Sequence, residues 1–291
     1  MCDDFTAIDD EKTLAKRGLN RRQFAAMSAV TVGAMGISTA CAAQDGGAGP
    51  VETAVSIPTP DGTMDGFFFH PAEGKHAAVI MWPDIAGVRD AKMVMARELA
   101  ARGYAVVLVN QYYRTAKAPI MSSISEFFQP GARERLGPMM AVLSNEGTMS
   151  DARAIVAWLD AQPQVDTAKK IGVEGYCMTG SYAIRCAAAV PERIGAVSSF
   201  HGGGLVSDAP DSPHKLLGPT AYYLIAIARN DDERNPGEKE ALRLAAEDQG
   251  AGARIEVFAG DHGWMVPDAP AYHEIEAMRG REMSLFHYAK L

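Results

Sequence analysis

Cys177, His262 and the neighbouring aspartates Asp231 and Asp232 are the residues of this chain whose types and surroundings could together perform nucleophilic chemistry. Cys177 lies between two glycines in GYCMTG, residues 175–180. The thiolate is the attacking form, and an unperturbed thiol with a pKa near 8.5 is only about 3% ionised at pH 7. A base is therefore required, and imidazole is the side chain whose ordinary pKa suits the task. His262 in FAGDHGW, residues 258–264, is the candidate. An imidazole used in this way needs a carboxylate to hold its tautomer and stabilise the imidazolium. In ARNDDERNP, residues 228–236, both Asp231 and Asp232 have suitable spacing. The competing readings are plain ones: a buried structural thiol, a solvated loop histidine beside Asp261, and an aspartate that caps a helix or carries surface charge.

These residues are useful only if particular elements position them. Short apolar runs at 77–82, 104–110, 171–175, 194–200, 221–228 and 255–258 read as strands. Stretches at 91–102, 181–190, 237–249 and 271–288 read as helices, as does 125–162 with breaks near Gly137-Pro138 and residues 145–147. Two leading extended runs, 51–58 and 64–70, meet at Pro60-Asp61-Gly62 and predict a β-hairpin. Alternating apolar strands and helices imply a mostly parallel sheet with helices on both faces.

Two architectures of that class compete. A doubly wound nucleotide binder requires G-x-G-x-x-G after its first parallel strand, and WPDIAG stands there at residues 82–87. An α/β-hydrolase requires a nucleophile on a sharp strand-to-helix elbow, then an acid, then a histidine. Cys177, the Asp231/Asp232 pair and His262 occur in that order, each after a strand. In this reading the oxyanion donors are the backbone N–H of Met178, at the start of the elbow helix, and that of Ile85, after strand 77–82. The segment His201-Gly202-Gly203-Gly204 imitates a lipase oxyanion motif but follows the strand after the nucleophile, which is the wrong loop. His201 either lines the pocket or belongs to a glycine-rich turn. Tyr112, Tyr113 and Trp264 are pocket-wall or core residues.

The elbow, the histidine loop and their spacing resemble the dienelactone hydrolase family, over roughly residues 52–290. The resemblance implies a small α/β-hydrolase domain with little lid, a Cys-His-Asp triad, and an ester or lactone substrate. It favours Asp231, because the family's acid closes a small tripeptide after its strand, here residues 228–230. The family's elbow commonly reads G-x-C-x-G-G, and Thr179 replaces its first glycine, so the backbone there must be unstrained. The resemblance also makes Asp84, where the family has glutamate, the residue that holds the thiol before substrate arrives. Arg114 matches an arginine that grips a substrate carboxylate. The second arginine expected for that purpose is absent, with Val266 in its place.

Bulk properties set the context. The chain has 291 residues, 47% hydrophobic and 22% charged, and a formal charge of −8, which argues against a nucleic-acid partner. Residues 1–42 carry an adjacent arginine pair, Arg21-Arg22, a short apolar stretch and small residues around Cys41. These features predict a twin-arginine export signal cleaved near Ala42, a periplasmic destination and passage through the twin-arginine machinery. Lipidation at Cys41 is the alternative. The apolar stretch is too short for a stable membrane span. Residues 43–50 read as a linker to a domain at 51–291, in which Cys177 and Cys186 are the only cysteines. Nine positions apart on what reads as one helix, they would be separated by ~13 Å of rise, too far to pair. No cofactor is expected and no metal-ligand cluster appears.

Overall fold

The computed structural model describes residues 49–291 together with residues 12, 13 and 15. Apart from those three residues, the expected export signal, and all of the linker but its last two residues, lie outside the described residues.

Eight strands form one sheet: β1 (Val51–Thr59), β2 (Gly62–His70), β3 (Ala78–Trp82), β4 (Ala105–Val109), β5 (Ile171–Tyr176), β6 (Ile194–Phe200), β7 (Tyr222–Ala228) and β8 (Gly252–Phe258). Their spatial order is β1-β2-β4-β3-β5-β6-β7-β8. The leading hairpin turns between Thr59 and Gly62, as Pro60-Asp61-Gly62 predicts, and β2 pairs antiparallel with β4. From β4 through β8 every pairing is parallel.

Between residues 49 and 291 the helices are α1 (Asp90–Ala101), α2 (Ala132–Ala141), α3 (Asn145–Asp160), α4 (Gly180–Ala189), α5 (Arg229–Arg234), α6 (Glu238–Asp248) and α7 (Glu274–Tyr288). They cover both faces of the sheet because the central strands are apolar on both sides. In β3, Ala78, Ile80 and Trp82 join the core that packs against α3 and α4, while Val79 and Met81 join the core against α1. β4 divides the same way, with Val107 on one face and Val106 and Leu108 on the other. This is the period-two alternation of a strand buried on both faces.

Two local expectations are corrected. The break expected at Gly137-Pro138 does not occur, since α2 runs through Pro138. The first six residues of segment 229–236 form α5. Cys177 also lies before the elbow helix, in the 3-10 turn Cys177–Thr179, while Cys186 is inside α4. Cys186 is a buried free thiol that accepts a bond from the Trp82 indole N–H at 3.3 Å, and burial pushes its pKa up to about 12. It is a packing residue. Among the described residues, no helix is long and apolar enough to cross a membrane.

Candidate active site

The candidate residues gather where parallel strands end, the edge at which α/β sheets hold their ligands. Cys177 follows β5, His201 follows β6, Asp231 lies in α5 after β7, His262 follows β8, and Asp84 and Ile85 follow β3.

The elbow is built by its glycines. A Cβ on Gly175 would lie 2.0 Å from the Thr179 carbonyl oxygen, and one on Gly180 would lie 2.7 Å from Gly202 Cα. With side chains there, the chain could not turn so tightly beneath the next strand. The strained residue is Cys177 itself, with φ of 57°, a conformation that holds a side chain out of a sharp turn at a cost of order 1–3 kcal/mol. Thr179 has φ of −86°, where a β-branched side chain is comfortable. Its hydroxyl accepts from the Tyr176 N–H at 2.9 Å and lies 3.0 Å from the Trp82 carbonyl, tying the elbow to β3. The departure from the family's glycine thus adds a strut. Cys177 is disulfide-bonded here.

His262 Nδ1 meets Asp231 Oδ2 at 2.6 Å. Two further bonds align their loops: Asn230 Oδ1 accepts from the His262 N–H at 2.8 Å, and Gly260 O accepts from the Arg229 N–H at 2.9 Å. Burial opposes ionisation of Asp231, but His262 and Arg234 outweigh it and hold its carboxyl below the usual range. Asp232 turns to Lys239 at 2.7 Å. Of the two aspartates left open by spacing, Asp231 is the one on the imidazole.

A cavity opens against Cys177 and His262. It is lined by Asp84, Ile85 and His201, by Ile124, Phe127 and Phe128 from the 3-10 turn Ile124–Phe128, and by Val266, Ala269 and Pro270 beyond the histidine. The apolar wall comes from these segments. Tyr112 and Trp264 are fully buried core residues, and neither they nor Tyr113 lines the cavity. Tyr112 acts indirectly: its hydroxyl donates to the Ile85 carbonyl at 2.9 Å and steadies the β3 loop. Met178 packs against both cores directly after Cys177.

Arg114 is elsewhere. Its guanidinium is bidentate to Asp151 at 2.9 Å and also bonds Asp61, and it is absent from the cavity lining. Two acids occupy the fork that the resemblance reserves for a substrate carboxylate.

Asp84 does line the cavity, but both of its oxygens are taken. Arg89 bonds Oδ1 at 2.7 Å and Oδ2 at 3.0 Å, the Ala86 N–H donates to Oδ1 at 3.0 Å, and Lys92 Nζ lies 3.3 Å from Oδ2. Burial would raise its pKa, yet Arg89 and Lys92 prevail and hold it well below the carboxylate range. So clamped, Asp84 is a poor base for a thiol. Arg89 simultaneously bonds Asp268 at 2.7 and 2.8 Å, and Asp268 accepts the Ile124 N–H at 2.9 Å. This chain of charges joins the β3 loop, the 124–128 wall and the 266–270 wall. Sequence reading missed Arg89, Lys92 and Asp268, because α1 and the histidine loop are far apart in the chain and carry no motif.

Known proteins share this plan. The model of the dienelactone hydrolase family matches residues 64–287. A Salmonella typhi protein provisionally named carboxymethylenebutenolidase is 24% identical over 243 residues, covering 81% of this chain and 86% of the relative. A crystal structure from Klebsiella pneumoniae subsp. pneumoniae, provisionally named a dienelactone hydrolase, superposes with a TM-score of 0.71 at 21% identity, covering 84% of this chain and all of that one. A metagenomic dienelactone hydrolase-like promiscuous phosphotriesterase does so at 0.64 and 19%, covering 82% and 98%. The family match extends from the leading hairpin into the last helix and encloses the elbow, the acid and the histidine, and on that match the chain belongs to the dienelactone hydrolase family.

Proposed function

We propose that the protein hydrolyses a small, neutral carboxylic ester or lactone through Cys177, with His262 as base and acid and Asp231 as its orienting carboxylate. The observation that carries this reading is the 2.6 Å contact of His262 with Asp231 beside a cavity shared by His262 and Cys177. His262 draws the proton from the reduced Cys177 thiol, and the thiolate attacks the carbonyl carbon. The tetrahedral oxyanion rests on the backbone N–H groups of Met178 and Ile85. The C–O bond then breaks, and the departing alkoxide takes the proton from His262. A water deprotonated by His262 releases the acid from the thioester and restores the thiol.

Neutrality of the substrate follows from the lining. Among the described residues no lysine or arginine lines the cavity, and the carboxylate that does, Asp84, is neutralised from behind. An anionic ligand would surrender its hydration there without a cation to replace it. This favours neutral esters and lactones over the acidic dienelactone implied by the resemblance. Export through the twin-arginine route is part of the same proposal, on the strength of Arg21-Arg22 and the apolar stretch that follows; fractionation of cells expressing the full chain tests it.

The test of the chemistry uses the reduced full chain on p-nitrophenyl acetate, a neutral lactone and a dienelactone, beside Cys177→Ala. Turnover that falls a hundredfold or more in the variant supports the nucleophile, and faster turnover of the neutral substrates supports the specificity. A variant as active as wild type refutes the mechanism.

A further inference from the structure

His201 has no part in the chemistry above, and its surroundings make that anomalous. It is a non-glycine residue at φ of 40°, in a region that side chains avoid. It is 1% exposed, and neither ring nitrogen has a hydrogen-bond partner. Buried polar groups are nearly always paired, and an orphan costs about 1–3 kcal/mol. A strained backbone and an unpaired ring therefore coincide at one residue that lines the cavity.

The ring is held, not loose. Its backbone N–H donates to the Ala226 carbonyl at 2.8 Å, and Gly203, two residues on, donates to the Cys177 carbonyl at 3.2 Å. The turn is thus tied to the nucleophile's own peptide. Tyr176 and Trp264 flank the imidazole at centroid distances of 6.3 and 6.0 Å, and His262 is 4.9 Å away. Burial first, then His262 and Lys92, keep His201 far below the ordinary histidine pKa, so the ring is neutral and carries one N–H.

Resting on the ester-hydrolase reading, we propose that His201 is a second catalytic imidazole, whose ring N–H donates to the alkoxy oxygen of the bound ester as that oxygen leaves. It stands beside His262, the group that must deliver a proton to the same oxygen. The C–S bond forms, the C–O bond breaks, the proton comes from His262, and His201 stays neutral throughout. A buried donor placed where negative charge develops is completed by the substrate.

The prediction is a dependence on the leaving group. In His201→Leu, kcat/KM for an ethyl ester, whose alkoxide leaves poorly, falls tenfold or more. For the p-nitrophenyl ester of the same acid it changes less than threefold. His201→Asn, which tolerates positive φ and retains a donor, recovers most of the ethyl-ester rate. Melting temperature in His201→Leu stays level or rises, because an orphaned polar group has been removed. His201→Gly, suited to the backbone angle, serves if the leucine variant does not fold, and shows the same selective loss. Equal losses on both esters, or wild-type kinetics on the ethyl ester, overturn the proposal. Iodoacetamide labelling of Cys177 in each reduced variant separates this failure from failure of the nucleophile assignment, which Cys177→Ala tests independently.

Discussion

The guanidinium of Arg89 lies 2.7 Å from the Asp84 carboxylate with both side chains buried, so the acidic residue of the cavity is half of an ion pair. The same guanidinium holds Asp268, and the two carboxylates balance Arg89 and Lys92 in number. A buried cluster of zero net charge tolerates the loss of a member poorly, because the remaining charges stay desolvated.

Asp84→Asn is therefore destabilising by about 3–5 kcal/mol in urea unfolding at pH 7, since it leaves two buried cations facing one carboxylate. The pH dependence has a definite sign. The folded pKa of Asp84 is depressed, so its stabilisation is complete above the unfolded pKa near 3.9 and is lost as pH falls toward the folded value. Unfolding curves of wild type and variant converge on acidification. A constant difference down to the acid limit contradicts the assignment.

Lys92 titrates the other way. Burial lowers its pKa to about 8, with Asp84 only partly compensating, and its ammonium lies 3.4 Å from the Tyr176 ring centroid. Between about pH 8 and 10.4 the unfolded chain binds the extra proton, so stability attributable to Lys92 rises with pH in that window. Wild type should gain on the order of 1–3 kcal/mol relative to Lys92→Met from pH 8 to pH 10. Parallel stability profiles for the two proteins would show that Lys92 does not titrate there.

The two aspartates of α5 separate by kinetics. Asp231→Asn lowers kcat/KM on p-nitrophenyl acetate by about a thousandfold or more, because the imidazole loses the group that sets its tautomer. Asp232→Asn breaks only the contact with Lys239 and leaves the rate within about threefold. The reverse ranking would exchange their roles.

Arg114→Gln tests the neutral-substrate reading. The variant alters KM for acidic and neutral esters by the same factor, because the guanidinium is spent on Asp61 and Asp151 outside the cavity. It loses about 1–3 kcal/mol of stability by leaving the nearly buried Asp151 with only Tyr113 as a partner. A selective rise in KM for the acidic ester would return Arg114 to the binding site.

The sequence by itself determined the strand–turn–helix around Cys177, the order of Cys177, the aspartate pair and His262, and the parallel sheet that brings them to one edge. Those properties are local. Gly175 and Gly180 permit the elbow, apolar runs define the strands, and connections in such folds leave few alternatives. Tertiary structure alone decided where the side chains between those elements point. Asp231 rather than Asp232 reached His262, Arg114 was drawn to two acids, and Phe127 and Phe128 became the wall in place of Tyr112 and Trp264. His201 kept an unpaired ring in the cavity, and Arg89 joined its neighbour Asp84 to Asp268, 179 positions beyond Arg89 in the chain. Charges and aromatic rings settle by long-range pairing and packing, and periodicity and spacing do not encode the partner.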